Sequence, residues 1–179
     1  KSDSLQKQYP KNINLAYLSA DILYFKREYK NARTKYLIAL DQEPKLKKGW
    51  QKIIEIDVTL ENSENLTNDL SLAILHFPKE ANFNAQLGLV NIQNGKPQNA
   101  IDYLTKASKQ TNRPELKVRY LGLIALSYQD LKQYKKSDSI FEEALVISPN
   151  NDVILNNYAY NLSERKAHLN KAKSMAKRL

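Results

Sequence analysis

Apolar residues recur along this chain at helical spacing, in stretches of about 12–14 residues divided by short polar breaks. Leu121, Ile124, Ala125 and Tyr128 stand at offsets of 3, 4 and 7, which is one face of an α-helix. Ser137, Ile140, Phe141, Ala144 and Leu145 draw a second such face. The segment 130–136 between them is polar and long enough only for a turn and frayed helix ends. The pattern predicts a helix–turn–helix unit with Tyr128 in its core.

The unit recurs. Prolines fall at Pro10, Pro44, Pro78, Pro114 and Pro149, at intervals of 34, 34, 36 and 35 residues, and a fixed period of this size marks a repeat architecture. Before Pro44 come Ala16, Ser19, Ala20, Leu23, Ala32, Tyr36 and Ala39; before Pro78 come Trp50, Ile53, Ile54, Leu66, Leu70 and Ala73. Leu87, Gly88, Ala100, Leu104 and Ala107 precede Pro114, and Leu155, Tyr158, Ala159, Leu162 and Ala172 follow Pro149. Small residues in the first helix (Ala20, Gly88, Ala125, Ala159) and early in the second (Ala32, Ala100, Ser137) let two helices approach closely, and large residues fill the space around each contact. Proline is expected to stop each second helix, because it lacks the amide donor and clashes with the preceding turn.

The row Leu121, Ile124, Ala125, Tyr128, Ser137, Phe141, Ala144, Pro149 resembles the tetratricopeptide repeat, with its order of large, large, small, aromatic, small, aromatic, small, proline. Five stretches match in register over residues 13–179. The resemblance implies an all-α, right-handed superhelical solenoid of antiparallel helix pairs, divided as 13–46, 47–80, 81–117, 118–151 and a partial repeat at 152–179. Residues 1–12 read as the tail of a preceding repeat, and both ends are expected to be cut from a longer array. The second repeat departs from the pattern: Asp57 and, in the third, Asn91 stand where an aromatic or leucine is expected, and Ile54 occupies a small-residue position. Its helices are expected to be splayed or shortened.

Composition excludes several classes. Cysteine is absent, so the chain has no disulfide, thiolate zinc site or cysteine nucleophile. No apolar run approaches the roughly 18 residues of a membrane-spanning helix. Gly49, Gly88, Gly95 and Gly122 are isolated and form no phosphate-cradling loop. His76 and His168 have no ligand or base at useful spacing, and Glu142 and Glu143, adjacent on a helix, point to different faces. No catalysis, metal or cofactor is expected.

Expectation therefore falls on binding. The resemblance implies that the first helices line a concave groove holding a peptide or helix of another protein. Its residues would be Tyr17, Asp21, Tyr24 and Phe25 in the first repeat, and Gln51 and Glu55 in the second. Ala85, Leu89 and Ile92 follow in the third, Arg119, Gly122 and Leu126 in the fourth, and Val153, Asn156 and Tyr160 in the fifth. Chaperone-binding relatives clamp a C-terminal carboxylate with Lys, Arg and Asn; Tyr17, Asp21, Asn82 and Gln86 stand at those positions here, which disfavours chaperone tails. A second reading comes from the net charge of +9. Arg165, Lys166, Lys171, Lys173, Lys177 and Arg178 make the densest basic set, suited to nucleic acid or an anionic membrane. The Lys- and Asn-rich character resembles bacterial repeat proteins, including envelope-attached ones, and fits either cytoplasm or periplasm.

Overall fold

The structure, a computed structural model, describes residues 12–178. Residues 1–11, most of the expected tail of a preceding repeat, lie outside the described residues. Asn12 caps the first helix, its side-chain oxygen accepting from Leu15 N at 3.1 Å.

Among the described residues every regular element is a helix. They fall into two compact units that divide between Lys79 and Glu80. The first unit contains α1 (Ile13–Phe25), α2 (Tyr29–Gln42), α3 (Lys47–Thr59) and α4 (Ser63–His76). The second contains α5 (Ala81–Gln93), α6 (Pro97–Gln110), α7 (Pro114–Asp130), α8 (Tyr134–Ile147), α9 (Asp152–Glu164) and α10 (Leu169–Ala176).

Small residues stand at the crossings. Ala20, Ala32, Ala100, Ala125 and Ser137 are all fully buried. At Gly88 the approach is closest: a Cβ there would meet Leu104 Cγ at 2.7 Å, so α5 and α6 come together at a position where no side chain fits. In the second pair Ile54 is buried at the equivalent point, and α3 and α4 lie less closely together than α1 and α2. The helices of that pair are not shortened, at 13 and 14 residues; the larger side chain separates them without ending them.

Prolines play two roles. Pro44, Pro78 and Pro149 follow a helix end, but Pro114 opens α7 at its first turn. There the missing amide costs nothing, because the first amides of a helix have no intrahelical acceptor. Pro114 thus starts the next helix instead of stopping α6, and α7 gains a turn, reaching 17 residues. Pro97 opens α6 in the same way.

The turn inside each pair is built identically. Arg27, Glu61, Gly95, Lys132 and Lys166 all take positive φ, between 52° and 64°. In each case that residue's amide donates to the carbonyl three positions back and the next residue's amide to the carbonyl five back, as in Lys132 N to Gln129 O (2.8 Å) and Gln133 N to Tyr128 O (2.9 Å). This is the Schellman closure, in which a left-handed residue satisfies the last carbonyls of a helix. Glycine occupies one of the five positions, and charged residues hold the strained conformation at the other four.

Aromatic packing completes the core of the second unit. Phe141 is fully buried and stacks on Tyr158, with centroids 4.9 Å apart and planes at 15°. Tyr128, expected in the core, is only half buried; it packs against the cluster from its edge, with Lys136 Nζ 5.4 Å from its ring centre. In the first unit Trp50 Nε1 donates to the Pro44 carbonyl at 2.8 Å and the indole stacks on His76, which gives that histidine a packing role.

Two outcomes follow for urea denaturation. Lys132→Gly raises stability by about 0.5–1 kcal/mol and Gly95→Ala lowers it by about 1 kcal/mol, although nothing lies within 4 Å of a Cβ at position 95. Phe141→Ala costs about 3–5 kcal/mol, and Tyr128→Ala costs clearly less.

Candidate functional site

In the first unit the expected binding residues of α1 and α3 come together, and most are already engaged. The Tyr24 hydroxyl donates to Glu55 Oε1. Lys52 Nζ lies 3.1 Å from Glu55 Oε2 and 4.0 Å above the Tyr24 ring. The bond from Tyr24 holds the Glu55 carboxyl below its ordinary value; burial opposes it, and Lys52 adds to the lowering. The same bond raises the Tyr24 phenol. Asp21 Oδ1 accepts from the buried Tyr36 hydroxyl at 2.5 Å, and Tyr17 sets its edge against the Tyr36 ring at 5.3 Å. Burial raises the Tyr17 phenol. What this face leaves to a partner is Phe25, 82% exposed, and the exposed Gln51, beside a carboxylate and an ammonium already fixed in place.

In the second unit the expected residues separate into three groups. Ala85 is 4% exposed and belongs to the helix packing, so it offers no surface; a small residue beside the α5–α6 contact is covered by its neighbours. Leu89 and Ile92 are partly buried, and Ile92 packs against the core.

Arg119 and Leu126 line one open cleft of about 360 Å³ between α7 and α9. Leu123, Leu126 and the 67%-exposed Val153 make its walls largely apolar. The end of the Ile154 side chain reaches Gly122 there: a Cβ would meet Ile154 Cδ1 at 2.7 Å. Glu115 at the rim is bound by Arg113 at 2.7 Å, whereas Arg119 has no acidic partner among the described residues. Asn156 and Tyr160 line a second hollow, also about 360 Å³, with Leu169 and Lys173 of α10; Tyr160 is 62% exposed.

Glu115, Val118, Leu123, Asn151, Ile154 and Asn157 complete the α7–α9 cleft and were not expected there. For Glu115 the reason is the extra turn of α7, which the role of Pro114 concealed.

The basic set at the end of the chain is partly consumed inside the fold. Arg165 bonds Asp138 at 2.6 Å, Lys171 pairs with Glu142, and Arg178 donates to Asn150 Oδ1 at 3.0 Å and to the Pro149 carbonyl. Lys166, Lys173 and Lys177 remain without acidic partners among the described residues. No helix among the described residues is long and apolar enough to cross a membrane, and no three His, Asp or Glu side chains among them are grouped to hold a metal ion.

A family profile described as "Tetratricopeptide repeat" matches residues 81–111 and 118–151. Those two segments are tetratricopeptide repeats. Solved structures of such repeats share the fold at low identity. YrrB, reported as a tetratricopeptide-repeat protein with an unusual peptide-binding site, superposes with a TM-score of 0.76 at 15% identity, over 99% of this chain and 89% of that one. MamA gives 0.77 at 16% identity, over 93% and 88%. The pilF protein of Pseudomonas aeruginosa gives 0.70 at 15%, over 93% and 74%. These likenesses establish the solenoid fold of tetratricopeptide helix pairs and nothing finer. No curated protein matches the chain. Tetratricopeptide repeats as a class are modules that bind other proteins or peptides.

The Tyr24–Glu55 bond has a direct readout. In Tyr24→Phe the Glu55 side chain loses its largest stabilising contact as an anion, so its carboxyl carbon, followed by NMR, titrates closer to the ordinary value near 4.5 than in the native chain. An unchanged midpoint would leave Lys52 as the group that holds it.

Proposed function

We propose that this tetratricopeptide protein is a non-catalytic scaffold that holds a peptide or helix of another protein against its first helices, with the α7–α9 cleft as the main contact. The observation that carries this reading is the cleft's composition: apolar walls from Leu123, Leu126 and Val153, and at the rim the Arg119 guanidinium with no acidic partner among the described residues. An apolar pocket with a few convergent polar groups is what a binding site for a side chain needs, and arginine is among the residues enriched where partners anchor. Phe25 and Gln51 in the first unit, and Tyr160 and Asn156 in the second, supply further exposed contact area on first helices. The Tyr24–Glu55–Lys52 group, with its bonds already made, serves as a fixed polar surface and gains little by being rearranged.

The test is affinity capture from a lysate of the source organism, with the wild type and an Arg119→Glu/Val153→Asp variant compared at low and moderate salt. Both side chains are exposed, so the melting temperature should stay close to that of the wild type. Capture of a discrete protein at moderate salt, reduced tenfold or more in the variant, is expected. Undiminished capture by the variant would move the site off the cleft. Recovery of nucleic acid or lipid that disappears with salt would transfer the function to the remaining lysines near the end of the chain.

A further inference from the structure

Where α2, α3 and α4 meet in the first unit, three charged side chains are packed away from the faces discussed so far. Arg33 of α2 donates through Nε to Asp57 Oδ1 of α3 at 2.7 Å and through Nη2 to Asp69 Oδ2 of α4. Both carboxylates are buried and the arginine is mostly covered. One guanidinium therefore faces two carboxylates.

The arrangement is incomplete in two respects. Two anions against one cation leave a negative charge out of water, which is strongly disfavoured. Asp57 Oδ2 is also buried without a hydrogen-bond donor, a condition folded proteins rarely tolerate. One proton removes both defects. Placed on Asp69, it neutralises the surplus charge and supplies the donor that Asp57 Oδ2 lacks.

We propose that Asp57 and Asp69 hold a single proton between them in mildly acidic solution, so that folding of the first unit takes up a proton and its stability falls as the pH rises toward neutrality. The Asp69 carboxyl is accordingly pushed up from 3.8 to about 6, by burial first and by its bond to Asp57 second, with Arg33 pulling the other way. The sign follows from proton counting. Between 3.8 and about 6 the folded chain keeps a proton that the unfolded chain has released, so stability declines across that window and levels off above it. From these values the unfolding constant at about pH 7 exceeds that at about pH 5 by about tenfold.

Trp50, the sole tryptophan, lies on α3 with Asp57, so its fluorescence during urea unfolding reports on this unit. The wild type is expected to show a higher urea midpoint at about pH 5 than at about pH 7. Asp69→Asn reproduces the protonated acid at every pH, since its amide nitrogen can donate to Asp57 Oδ2 while its oxygen accepts from Arg33. Its midpoint at neutral pH should equal or exceed that of the wild type, and its pH dependence should be weaker. Comparing the two proteins cancels every other titrating group, His76 beside Trp50 included. Carboxyl-carbon NMR of the native chain gives a second reading that needs no variant: Asp69 should titrate near pH 6. A variant less stable than the wild type at neutral pH with the same pH dependence, or an Asp69 carbon titrating at an ordinary carboxylate value, would overturn the proposal.

Discussion

Helices of 13 or 14 residues are marginal alone in water, so this chain depends on pairing them closely. Closeness is set where two helices cross, by residues with little or no side chain. Ala20 and Ala32 serve in the first pair, Gly88 against Leu104 in the third, and Ala125 and Ser137 in the fourth. Everything larger is arranged around those crossings. Where the small residue is replaced, as by Ile54, the pair loosens while its helices keep their length. The five left-handed turns follow from the same requirement, since a helix must reverse within a few residues if its successor is to meet it at the right level.

Close pairing also decides which side chains remain for a partner. Polar groups on the first helices of the first unit are largely engaged: Tyr24 with Glu55, Glu55 with Lys52, and Asp21 with Tyr36 of α2. In the second unit they are so less completely, and Arg119 has no acidic partner among the described residues beside the apolar walls of the cleft. A surface whose hydrogen bonds are already made contributes shape to recognition, whereas one with an unpaired charge contributes a specific demand on the partner. The two units thus differ in what they can ask of a ligand, even though one repeat pattern builds both.

Much of this was legible in the sequence because repeat packing is local. Spacings of three and four residues placed Ala125, Phe141 and Leu155 in the core, and the first-helix faces placed Arg119 and Leu126 at an accessible cleft. Three features escaped for physical reasons. A proline after a helix and a proline opening the next look alike in sequence, so Pro114 was misread. Left-handed turns usually announce themselves by glycine, and here four of the five carry Arg, Glu or Lys. The Arg33 cluster joins residues 24 and 36 positions apart, beyond the reach of helical periodicity. Its trace in the sequence was an aspartate at position 57 where a large apolar residue was expected. Tyr128 failed in the opposite sense: it lies on the apolar face, but at the rim of the core, where its ring reaches solvent and a lysine.

Gly122 ties helix packing to the shape of the α7–α9 cleft. The α7–α9 cleft is lined by a residue with no side chain, and a methyl group there would contact the end of Ile154 at 2.7 Å. A change from glycine to alanine in a related chain would therefore alter the cleft's floor while leaving the repeat pattern intact. Cleft shape would then diverge between chains that share one architecture, through a substitution the repeat pattern does not register.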